Sequence, residues 1–81
     1  MERKEIELLT RNFLIEEMEI EADILAGEAK LKEDLGLDSL DFVDIVVIVE
    51  ERFGFKIKPE EMAQVITVDE FYGYIDSKVN G

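Results

Sequence analysis

Eighty-one residues with 21 Asp plus Glu against 9 Lys plus Arg, a formal net charge of −12, bound this chain to one small acidic domain with a single core. The sequence has no Cys and no His, which excludes a disulfide framework, a thiolate nucleophile or metal site, and a Ser–His couple. So negative a chain repels phosphate backbones and anionic lipid heads, and the partners to expect are basic protein surfaces, with no nucleic acid and no membrane.

The hydrophobic content of 47% is enough for a core, so a folded domain is expected rather than an acidic tail. The first residues, Met1 to Glu5, lack the apolar core of a secretory signal and carry acids foreign to a transit peptide. The longest wholly apolar run, Ile45 to Val49, falls far short of the roughly 20 residues of a spanning helix. A cytoplasmic monomer is the expectation.

Glu2 to about Glu17 is predicted as the first helix, with Ile6, Leu9 and Phe13 at helical spacing and Leu14 beside them. From Met18 to Leu37 the periodicity weakens, and Gly27 and Gly36 punctuate a connection of roughly 20 residues, a length that is often functional. Its spaced Ile24, Leu31, Leu35 and Leu37 are expected to pack onto the rest of the fold.

In the next segment propensity and pattern conflict. The residues from Phe42 to Val49 are mostly β-branched and read by preference as a buried strand. Against this, Asp38 and Asp41 have the spacing of a capping box, and Ser39 to Phe53 is long for a strand. At about 100° per residue the segment also sorts onto two opposed faces. One stripe holds Phe42, Val46, Val49 and Phe53, and the other holds Leu40, Asp44, Val47 and Glu51, with Asp41 on its edge. A second helix is predicted. Pro59 with Glu60 and Glu61 suits the first turn of a short third helix, and Thr67 with Glu70 forms a capping box for a fourth. The fourth helix should bury Val68, Phe71, Tyr72, Ile75 and Val79 and end at Asn80-Gly81. The fold class is all-α: a four-helix bundle, one domain over residues 1–81, with a long first connection and a short third helix.

Serine occurs only at Ser39 and Ser77. The ordinary role of a serine at a helix start is capping, and Asp-Ser-Leu by itself is a weak signal. The surroundings are more specific. Asp-Leu-Gly-Leu-Asp-Ser-Leu-Asp (34–41), Glu-Glu-Arg-Phe-Gly-Phe-Lys-Ile (50–57), the Pro-Glu-Glu turn and Thr-Val-Asp-Glu-Phe with Tyr74-Ile75 resemble the acyl carrier protein family in order and spacing across essentially the whole chain.

The resemblance implies that Ser39 is the attachment point for 4′-phosphopantetheine, joined by a separate phosphopantetheinyl transferase that uses coenzyme A and magnesium. The product would carry acyl groups as thioesters for fatty-acid or polyketide-like synthesis, as a substrate of enzymes and not as a catalyst. Its partners would be acyl-transferring, condensing or modifying enzymes with basic docking patches. The second helix would be the recognition helix, with Asp38, Asp41, Asp44, Glu50 and Glu51 at its acidic positions. From the residues themselves, exposed Leu40 and Val47 amid these acids read as a docking stripe rather than a solubilising face. The resemblance further implies a pocket for the acyl chain between the second and third helices, for which Phe42, Val46, Val49 and Ile57 are the candidates. Phe42 departs from the smaller, often polar residue expected there; it either fills the pocket, which suggests a specialised member with a short or unusual cargo, or is simply a core residue.

Two alternatives share these residues: an aminoacyl carrier, D-alanyl or peptidyl, using the same arm, and an unmodified acidic helical binding module. The twelve residues from Asp34 do not match a calcium loop, since Ser39 stands where Gly is needed and Ile45 where Glu is needed. Looser divalent binding by Asp34, Asp38 and Asp41 is the remaining metal expectation. Tyr72 is expected in the core, and neither Tyr72 nor Tyr74 is given a chemical role.

Overall fold

The computed structural model describes residues 1–81 and consists of α1 (Arg3–Glu16), a 3₁₀ turn (Ala22–Ile24), α2 (Ser39–Phe53), α3 (Pro59–Met62) and α4 (Val68–Asn80). No strand forms, and the one isolated antiparallel bridge joins Lys30 to Thr67. No helix is long and apolar enough to cross a membrane. The predicted four-helix architecture is therefore the observed one, with a short third helix.

α1 buries Ile6, Thr10, Phe13 and Leu14, the i, i+4, i+7, i+8 face. Thr10 takes a place that the apolar pattern had offered to Leu9, which is only half-buried. α1 packs on α4 through an edge-to-face contact of Phe13 with Phe71, ring centroids 6.3 Å apart.

The β-branched run is a helix because its ends and its buried face outweigh its propensity. Six β-branched residues cost about 0.5 kcal/mol each relative to Ala, about 3 kcal/mol in all. Ile45 and Val49 are both fully buried, and each contributes about 1.5–3 kcal/mol by leaving water. Asp38 caps the start, and Gly54, at φ +78° in the left-handed region that a glycine enters without strain, ends the helix. The core face is rotated relative to the predicted stripe. Ile45 and Val49 form its centre, while Phe42, Val46 and Phe53 are only partly buried.

The long connection is anchored rather than loose, because it completes α4. The first turn of any helix has unpaired N–H groups. Here Val68 N–H donates to Ala29 O and Asp69 N–H donates to Gly27 O, each at 2.9 Å, and Glu70 N–H donates to Thr67 Oγ1 at 3.1 Å. Leu31 N–H donates to Ile66 O at 2.9 Å beside them. A Cβ at Gly27 would lie 2.5 Å from the Asp69 carboxylate, the end of an exposed side chain that can turn aside. So fastened, the connection buries Leu31, Leu35 and Leu37 as expected, together with Ile20, Leu25 and Ala29. Ile24 is an exception at 37% exposure: the 3₁₀ turn brings Leu25 inward instead, where the Arg11 guanidinium donates to its carbonyl at 3.0 Å.

α3 is tied to α4 by Glu61, which accepts from Tyr74 Oη at 2.8 Å and pairs with Lys78 at 3.0 Å. These bonds, Tyr74 first, hold the Glu61 carboxyl below its ordinary pKa. Tyr72 is buried as expected with its hydroxyl unpartnered, and burial raises its pKa.

Candidate functional site

Ser39 is the first residue of α2 and is exposed. The capping bonds beside it belong to others: Asp41 N–H donates to Asp38 Oδ1 at 3.0 Å, and Asp38 N–H donates to Asp41 Oδ2 at 3.1 Å. The Ser39 hydroxyl is therefore spared the duty that a serine at a helix start usually performs. It sits at the positive end of a 15-residue helix, an environment that favours an attached anion.

An apolar groove of about 430 Å³ opens beside this hydroxyl. Its walls are Ser39, Phe42, Val43 and Val46 from α2, facing Pro59, Met62 and Ala63 on the α3 side, with Lys32 and Asp38 at the rim. The α2 wall follows from helical geometry, since i, i+3, i+4 and i+7 from Ser39 share one face. That same count from Ser39, applied to the sequence, would have added Val43 to the pocket residues. Lys32 had no comparable signal, because it lies in the irregular connection.

Of the four pocket candidates, Phe42 and Val46 line the groove, and Val49 and Ile57 do not. The last two are sealed in the core at 0% and 1% exposure, as α2 is rotated to point Val49 at the bundle centre. Phe42 is half-buried along the wall, with Lys32 Nζ 5.8 Å from its ring centroid.

On the far side of α2, Leu40 is 76% exposed and Val47 is 50% exposed. Val43, 60% exposed, lies between this face and the groove and borders both. Asp44, Glu50 and Glu51 stand exposed around these side chains, and Asp41 is half-buried. None of the five acids from Asp38 to Glu51 is in an ion pair. The expectation of loose divalent binding is not met by the geometry, for no group of three or more acids converges. Asp38 and Asp41 are occupied in the capping box, and Asp34 Oδ2 accepts from Lys30 N–H at 2.8 Å.

An exposed serine at a helix start thus lies beside an apolar groove and an acidic face that bears exposed apolar side chains. The family described as "Phosphopantetheine attachment site" matches residues 10–75. The acyl carrier protein of Thermotoga maritima is 35% identical over 77 residues, 95% of each chain, and that of Akkermansia muciniphila is 36% identical over the full length of both. The solution structure of a chain described as an acyl carrier protein from Anaplasma phagocytophilum superposes with a TM-score of 0.82 at 37% identity, covering 96% of this chain and 92% of that one.

The chain belongs to the acyl carrier protein family. It is a carrier of acyl groups and not an enzyme, and the cofactor of its domain is covalent 4′-phosphopantetheine.

Proposed function

We propose that Ser39 Oγ holds the 4′-phosphopantetheine and that the chain delivers acyl thioesters to enzymes of fatty-acid or polyketide-like synthesis. The observation that carries this reading is the exposed Ser39 hydroxyl, free of the capping box and opening onto the apolar groove. The residues fit the group. The phosphodiester would sit at the positive end of α2, and the groove beside it is apolar enough to receive an acyl chain. The arm supplies the thiol that a sequence without Cys lacks. The apolar lining favours an acyl over an aminoacyl cargo.

The chain's own part in loading is passive. No His is available and the neighbouring carboxylates are engaged in capping, so the transferase must supply the base that takes the Ser39 proton. Asp44, Glu50 and Glu51 steer basic partners to α2, and Leu40, Val43 and Val47 give the contact that leaves water on docking. The test is incubation with a promiscuous phosphopantetheinyl transferase and coenzyme A, followed by intact mass measurement. Wild type should gain one phosphopantetheine and Ser39→Ala none; a folded wild type with no gain refutes the assignment.

A further inference from the structure

We propose that Lys32 is the counter-ion of the phosphodiester on Ser39, and that it turns the base of the arm toward the groove side of α2, away from the docking face. The inference rests on the carrier reading above and concerns a residue of the connection to which that reading gives no role. Attachment at Ser39 adds a negative charge to a chain that already bears −12, within a stretch where Asp34, Asp38, Asp41 and Asp44 have no basic residue among them. A phosphate so placed is repelled by its neighbours unless a cation stands close by.

Most of the 9 basic residues are already engaged: Arg3, Lys30, Arg52 and Lys78 in ion pairs, and Arg11 on the Leu25 carbonyl. Of the others, Lys4, Lys32, Lys56 and Lys58, only Lys32 borders the groove that Ser39 also borders. Its neighbours in sequence do not neutralise it, since Glu33 pairs with Lys30 and Asp34 Oδ2 accepts from Lys30 N–H. The backbone fixes where Lys32 stands. Leu31 before it is buried, donates its N–H to Ile66 O at 2.9 Å and accepts from Leu37 N–H at 3.1 Å. Lys32 thus follows one partner of the Leu31–Leu37 bond, and Ser39 lies two residues beyond the other. The side chain is held over Phe42, Nζ 5.8 Å from the ring centroid, and Phe42 is i+3 from Ser39 on the same face of α2. An ammonium on a flexible four-carbon stem, kept to that face by the ring, meets the phosphate from the groove side. Leu40 and Val47, on the far side of α2, are left clear for a partner.

The experiment combines loading and substitution in one cycle, so that any direct effect of the substitution on the fold cancels. Wild type, Lys32→Ala, Lys32→Arg and Lys56→Ala are each melted at low salt with and without the bare arm, whose presence mass measurement confirms. Lys56→Ala removes the same charge beyond the far end of α2, about 20 Å of helix from Ser39. The change in melting temperature on loading should be less favourable by about 1–8 °C in Lys32→Ala than in wild type, while Lys32→Arg and Lys56→Ala should follow wild type. At about 1 M salt the difference should vanish, because an exposed pair is screened. The phosphorus NMR signal of the loaded protein should shift in Lys32→Ala and return toward wild type in Lys32→Arg. A nuclear Overhauser contact from the geminal methyls next to the phosphate to the Phe42 ring should be present in wild type and weakened in Lys32→Ala. Equal changes on loading in wild type and Lys32→Ala, the same deficit in Lys56→Ala, or a phosphorus signal and methyl contact indifferent to Lys32 would each overturn the pairing. Failure to load the bare arm would instead refute the carrier reading itself.

Discussion

Leu40→Ala separates docking from folding. Leu40 is 76% exposed, and the fold makes little use of its side chain. The substitution should therefore change stability by less than about 0.5 kcal/mol, or about 2–4 °C in melting temperature. A docked partner would remove the three carbons beyond Cβ from water, at about 0.8 kcal/mol each when fully desolvated. Since contact at an interface is rarely complete, about 1–2 kcal/mol is the reasonable loss, a factor of about 5–30 in kcat/KM for loading by the transferase. The assay is the initial rate of phosphopantetheine transfer at subsaturating carrier, with circular dichroism melting on the same samples. Asp44→Asn serves as the electrostatic counterpart. It should slow loading several-fold at low salt and converge on wild type at high salt, because exposed charges steer encounter and are screened. A Leu40→Ala protein that loads at the wild-type rate would refute the apolar part of the docking face. One that loses both loading and stability would refute the premise that Leu40 serves the partner alone.

Three further outcomes follow from the packing and the hydrogen bonds. Thr10→Val should raise stability by about 1 kcal/mol, or about 4–8 °C, because Thr10 Oγ1 is buried with no partner and the replacement keeps its shape; unchanged or lower stability in a thermal melt would count against it. Glu61 has a folded pKa below its unfolded 4.5, so its stabilising contribution is present above pH 4.5 and lost as pH falls through the folded value. The melting-temperature gap between wild type and Glu61→Gln should therefore close on acidification from pH 6 to pH 3, and a gap independent of pH would refute the linkage. Asp38→Ala, which removes the N-cap of α2, should cost about 0.5–2 kcal/mol in denaturant unfolding while leaving Ser39 loadable; retention of full stability would show that the capping box contributes nothing.

Much of the fold could be read in advance because its signals are local. Asp38 with Asp41, Thr67 with Glu70, and Pro59 each act within one turn of their own helix, and each opens a helix where expected. The rotation of α2 was less legible. In an almost continuous apolar run the spacing permits several stripes, and only packing against the other elements selects Ile45 and Val49 as the centre. Of the pocket candidates, Val49 and Ile57 are buried and do not line the groove, and Val43, which borders both the groove and the docking face, falls outside both predicted stripes. Thr10 gives no sequence signal of its burial, because a hydroxyl in a core position runs against hydropathy.

By itself the sequence determined the four helices, the acidic face without a basic residue between Asp38 and Glu51, and the one serine at a helix start, since caps, charge and residue identity need no long-range contact. Tertiary structure alone decided what surrounds that serine. The groove exists only where α2, the Pro59–Ala63 segment and Lys32 of the connection meet, and that connection is held by backbone bonds from α4 to Gly27 and Ala29, which no side-chain pattern announces.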